Sequence, residues 1–96
     1  MQRDRGAKAF LSTLAGKRAI SALAQGEASV ARRDAEQSLL LWHEAGDARY
    51  VLAVLLAADH RYAESRAQLD TLLSFYPFDA SARAFRDSVV AHDPAR

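Results

Sequence analysis

Three histidines, twelve carboxylates and a scatter of serines are the residues through which this chain could do chemistry. His43 stands beside Glu44 and near Asp47, and His60 follows Asp59. Neither has a second histidine four residues on, nor the His/Cys spacing that a zinc site needs. There is no cysteine, so disulfides and thiolate ligands are excluded. Ser12, Ser21, Ser65 and Ser88 have no base placed for them by a nucleophile motif, and no glycine-rich loop is present to cradle a phosphate. The acids fall where helices want them. Asp47 and Asp79 read as N-caps, and Glu36, Glu64, Asp70 and Asp87 lie on polar faces. Arg61 with Glu64 and Arg66 with Asp70 have the spacing of helical ion pairs, each contributing a few tenths of a kcal/mol. His43 and His60 read as helix-end residues, where a cation meets the last carbonyls. The expectation is a protein that is not an enzyme, with no cofactor and no metal.

What remains is a surface. Thirteen basic and twelve acidic residues give a net charge of +1, without the clustered basic face of a nucleic-acid binder. The nearest approach is Arg3, Arg5 and Lys8, interrupted by Asp4. Binding through these with Lys17 and Arg18 would show a steep salt dependence. The longest apolar run, residues 51–58, falls far short of the ~20 residues that cross a bilayer. No signal peptide is visible, and the expected location is cytoplasmic. The Arg- and Ala-rich composition is in keeping with a GC-rich bacterial genome.

The elements that must build this surface are all helical. Alanine is the most frequent residue, Leu, Arg and Glu are common, and β-branched residues are few. The pattern predicts helices over Asp4 to Gln25, Ala28 to His43, Ala48 to Ala58, Tyr62 to Phe75 and Ala80 to Ala91. Gly26 breaks the first from the second, Gly46 stops the second, and Pro77 ends the fourth. The third carries Val51, Leu52, Val54, Leu55 and Leu56 almost all round, so it is buried between neighbours or awaits a partner. Turns of two to four residues make consecutive helices antiparallel neighbours.

In residues 61–77, RYAESRAQLDTLLSFYP, the intervals Tyr62, Ser65, Leu69, Leu72, Pro77 carry a resemblance. With Leu52, Ala53 and Leu56 before them, they resemble a tetratricopeptide repeat, a helix–turn–helix unit of about 34 residues. Residues 46–79 form this unit. The preceding stretch of equal length, residues 12–45, forms another, with Gly26 at the turn and Ala19, Ala31 and Leu39 in register. There His43 replaces the proline, Arg18 stands where a large apolar residue is usual, and Ala28 replaces the aromatic. Residues 80–91 correspond to the family's closing helix. The resemblance implies one domain over residues 1–96, all-α, with helical hairpins stacked as a short right-handed solenoid. A generic five-helix bundle is the competing arrangement.

Function, on the resemblance, is protein–protein interaction. The family's first helices line a groove for a partner segment, which here presents Gly16, Ile20 and Leu23 from the first unit and Tyr50, Val54 and Ala57 from the second. Members that grip a terminal carboxylate place Lys and Asn where this chain has Gly16 and Ile20. An apolar groove with one tyrosine suits an apolar or amphipathic segment. Two units and a cap fall short of the usual three repeats, so self-association is expected, with Phe10 and Leu11 packing across a dimer axis. Trp42, Phe75, Tyr76 and Phe78 form a separate aromatic group, read either as packing between repeats or as an exposed hot spot. The competing class is a small helical regulator or accessory subunit with a ligand pocket between helices.

Overall fold

The computed structural model describes residues 2–94, with side chains from residue 6 onward; the side chains of Arg3 and Arg5, and residues 95–96 of the tail expected to fray, lie outside the described residues. Five helices follow one another: α1 (Gln2–Ala24), α2 (Ala28–Leu41), α3 (Gly46–Ala58), α4 (Tyr62–Phe75) and α5 (Ala80–His92). No strand occurs among the described residues. The fold is all-α, as the composition requires, and among the described residues no helix is long and apolar enough to cross a membrane.

Neighbours in sequence are neighbours in space. Helix α1 lies against α2 and α3, α2 against α3, α3 against α4, and α4 against α5. The molecule is drawn out to 46 × 28 × 18 Å. Small residues let the helices approach: Ala15, Ala19, Ala31, Ala35, Ala48 and Ala53 have no exposed surface. One cluster joins α1, α2 and α3 around Ala19, Ala35, Val51 and Leu55. A second joins α3, α4 and α5 around Ala53, Leu69, Leu72 and Val89. Tyr62 packs on this second cluster and the buried Ser65 donates to the Ala53 carbonyl at 2.7 Å, so the spacing in residues 61–77 seats α3 against α4 as the sequence predicts. Leu72 and the flanking Leu73 share that cluster with Ala82 and Phe85 of α5.

The helix ends repeat. Ala28 and Leu41 bound α2 as Tyr62 and Phe75 bound α4, and Gly46 and Ala58 bound α3 as Ala80 and His92 bound α5, all at one constant interval. The turns follow suit: Gly26 N–H donates to Leu23 and Glu27 N–H to Ala22, while His60 N–H donates to Ala57 and Arg61 N–H to Leu56. Gly26 and His60 both take the left-handed conformation, at φ 77° and 61°. Glycine adopts it freely, whereas an L side chain is strained there. The longer loops match as well, with Trp42 N–H on Ser38 and Ala45 N–H on Trp42, then Tyr76 N–H on Leu72 and Asp79 N–H on Tyr76.

Three boundary expectations are corrected by this register. Helix α2 ends at Leu41, not at His43, because Trp42 turns extended at φ −154°. Gly46 does not stop α2; it opens α3. Asp47 is therefore not the N-cap of α3. Ala45 holds that position without a side-chain bond, and Asp47 sits in the first turn, where its charge still favours the helix dipole. Asp79 is a cap as expected, accepting from Ala82 N–H at 3.0 Å.

Candidate functional site

Alternate helices share one face. A cleft of about 280 Å³ is lined by Ile20 of α1, Gly46, Asp47 and Tyr50 of α3, and Asp79 and Ser81 at the start of α5. Ile20 is 38% exposed, high for a large aliphatic side chain. Tyr50 forms the floor and is held from below by Phe85, ring centroids 5.6 Å apart and tilted at 45°.

The six residues expected in a groove divide. Ile20 and Tyr50 come together in this cleft, and Val54 lies half-buried on the same helix as Tyr50. Leu23 packs on the cluster between α1, α2 and α3, and Ala57 on the one between α3, α4 and α5, so both are held by the core. Phe10 and Leu11 are 64% and 48% exposed on α1. The aromatic group also divides: Trp42 and Phe75 are half-buried, while Tyr76 is exposed and Phe78 is 90% exposed.

Sequence reasoning placed Gly16 in the groove but missed what it opens. A second cavity, about 170 Å³, lies between α1 and the α2–α3 loop, with Gly16 at its wall and Trp42, Tyr76 and Asp47 around it. A Cβ at Gly16 would meet Asp47 Cβ at 3.3 Å and Ser38 Oγ at 3.6 Å, so a side chain there would intrude on this space. A third cleft of about 260 Å³ is bordered by Gly46, Asp47, Tyr76 and Asp79. Asp47 borders all three cavities and has no ion-pair partner among the described residues. The repeat interval from Trp42 to Tyr76 puts an aromatic at the same loop position twice, and that signal was legible in the sequence.

Other charged side chains of α3, α4 and α5 have partners of their own. Arg49, two residues beyond Asp47, donates to the His43 carbonyl at 2.7 and 3.2 Å and to Gln68 at 3.0 Å, and burial lowers its pKa. Asp70 bridges Arg66 (3.6 Å) on its own helix and Arg86 on α5, and that contact raises the Arg86 pKa through the hydrogen bond and the charge. Arg61 and Glu64 pair as the spacing predicts, at 2.5 Å. His43 packs edge-on against Phe75 at 5.7 Å and lies 4.0 Å from Glu44, while His60 Nδ1 meets the Tyr62 hydroxyl at 3.0 Å. No group of three metal-ligating side chains occurs among the described residues.

The fold and cleft are those of a small all-α protein whose alternate helices present a common face. Comparison with protein-family models, with curated proteins and with solved structures finds no match to this chain.

Proposed function

We propose that the chain is a tetratricopeptide-like interaction module that binds an apolar or amphipathic segment of a partner protein on the face shared by α1, α3 and α5. The observation that carries this reading is the cleft formed by one side chain after another from alternate helices, Ile20, Tyr50 and Ser81. Such a face accepts an extended or helical segment across the helix axes. The regular recurrence of helix ends and turn hydrogen bonds supports the repeat reading and the stacked, solenoid arrangement. The reading is non-catalytic and needs no cofactor.

Ile20→Arg and Val54→Arg test it. Ile20 is more than a third exposed and Val54 only half-buried, so an arginine at either can reach solvent and both variants should fold with unchanged helicity. Partner proteins recovered with the wild-type chain should be lost from both. Recovery of every partner by two well-folded arginine variants would sink the groove.

Self-association belongs to the same reading. The outer face of α1 carries Phe10, Leu11 and Leu14, all more than a third exposed. Pairing two such faces would cover the open edge of the stack.

A further inference from the structure

The cavity beside the groove carries one carboxylate, Asp47, and among the described residues no cation. Its aliphatic hydroxyls come from Ser12, Thr13 and Ser38. Ser12 Oγ is within 2.8 Å of the Ser38 carbonyl, Ser38 Oγ within 2.8 Å of the Ser12 carbonyl, and Thr13 Oγ1 within 2.9 Å of the Ala9 carbonyl. Each hydroxyl has one proton; Thr13 donates to the Ala9 carbonyl, while Ser12 and Ser38, their Oγ atoms 2.9 Å apart, spend theirs on the opposite carbonyls or on each other. Ser12 and Ser38 are buried, so neither hydroxyl brings a free proton to the cavity. Asp47 adds a carboxylate, which only accepts. Trp42 and Tyr76 supply aromatic walls, and among the described residues no lysine, arginine or histidine lines this cavity or the two clefts that adjoin it.

A carboxylate beside two aromatic walls, with no cation among the described lining residues, fits a positively charged group that donates hydrogen bonds. A guanidinium or an ammonium meets that description, with five or three N–H donors and an affinity for aromatic faces. A carboxylate or a phosphate does not. Gly46 and Asp47 border both the cavity and the groove.

We propose that the segment bound in the groove carries an arginine or lysine on its apolar side, and that this cation enters the cavity between Trp42, Tyr76 and Asp47. The inference rests on the groove reading and specifies its partner. Apolar side chains of the segment cover Ile20 and Tyr50, and the basic side chain beyond them sets register and sign of charge. Gly16 keeps the cavity open, since a side chain there would meet Asp47 and Ser38 first.

Trp42 is the chain's one tryptophan, so its fluorescence reads the cavity directly. The probes are three acetylated, amidated leucine–alanine peptides, identical except for arginine, glutamine or glutamate at the central position. The full chain should bind the arginine peptide about tenfold more tightly than the glutamine peptide, from one partly screened charge pair and one cation–aromatic contact. The glutamate peptide should bind most weakly. Asp47→Asn keeps the side-chain shape and should leave the glutamine peptide unchanged while most of the arginine preference disappears. Gly16→Ala should weaken the arginine peptide selectively. Equal binding of the arginine and glutamine peptides to the wild type would overturn the anchor and leave the groove standing. A preference that survives in Asp47→Asn would place the cation elsewhere and overturn it too. Failure of all three peptides to bind would remove anchor and groove together.

Discussion

Ser12 and Ser38 hold α1 and α2 together by a reciprocal exchange: each hydroxyl lies 2.8 Å from the other residue's carbonyl oxygen, and the two Oγ atoms are 2.9 Å apart. Two protons serve three short contacts. Both residues are buried, 3% and 0% exposed, and no buried side-chain polar atom lacks a partner among the described residues.

Ser38→Ala removes one bond of the pair and leaves the Ser12 hydroxyl its carbonyl. The expected loss is about 1 kcal/mol of unfolding free energy. Ser38→Leu forces a larger side chain between helices that meet through small residues, and should cost about 1–3 kcal/mol. Chemical denaturation of the three proteins measures both. Equal stabilities would show that the α1–α2 contact does not depend on small size at position 38.

The second hairpin relies on Ser65 and Ala53, which are both fully buried. Ser65→Ala forfeits the 2.7 Å bond to the Ala53 carbonyl and should lower stability by about 1 kcal/mol. Ala53→Leu leaves that bond's atoms in place but separates α3 from α4, with a loss of about 1–3 kcal/mol. A melt in which Ala53→Leu is the milder change would contradict this packing.

The two matching turns differ in their residue, so one substitution should have opposite signs at the two places. Gly26→Ala puts a Cβ into the left-handed conformation and should lower stability by about 1 kcal/mol. His60→Gly relieves the same strain but loses the exposed hydrogen bond to Tyr62. The net expectation is a gain of about 0.5 kcal/mol, or a Tm rise of about 2–4 °C for a domain of this size. A lower Tm for His60→Gly would mean that the His60–Tyr62 contact outweighs the backbone strain.

Association through α1 should have an inverted salt dependence. The sequence of α1 has five basic residues against one acid, Asp4, and Lys8, Lys17 and Arg18 have no ion-pair partner among the described residues. Two copies meeting through Phe10, Leu11 and Leu14 bring like charges together, and salt screens them. Light scattering across a concentration series should show a dimer that tightens as salt rises. Phe10→Asp with Leu11→Asp should give a monomer with unchanged helicity. A wild-type mass that stays monomeric at high salt and high concentration would rule the contact out.

How much of this was legible in the sequence depends on how local the cause is. The α4 span matches its expected bounds because Asp79, Pro77 and the apolar intervals act within a few residues of their own position. The groove residues were partly legible. The interval that puts Tyr50 and Val54 on one face is a helical period, but whether a neighbour covers that face is not encoded within the helix. Leu23 and Ala57 show this, since each has the spacing of a groove residue and packs on a core cluster. The α2 end was not legible, because His43 and Gly46 suit a helix stop in isolation, while Trp42 has already turned extended.

By itself the sequence determined five helices, their order, the short turns that make neighbours antiparallel, and small residues wherever helices cross. These follow from propensity, period and capping, which act over one or two turns of chain. Only the tertiary structure decided that Ser12, Gly16, Ser38, Trp42, Asp47 and Tyr76 surround one space. Those residues come from three helices and two loops, and nothing in their spacing brings them together. The Ser12–Ser38 exchange joins two helices across a sequence separation far beyond the reach of any local signal.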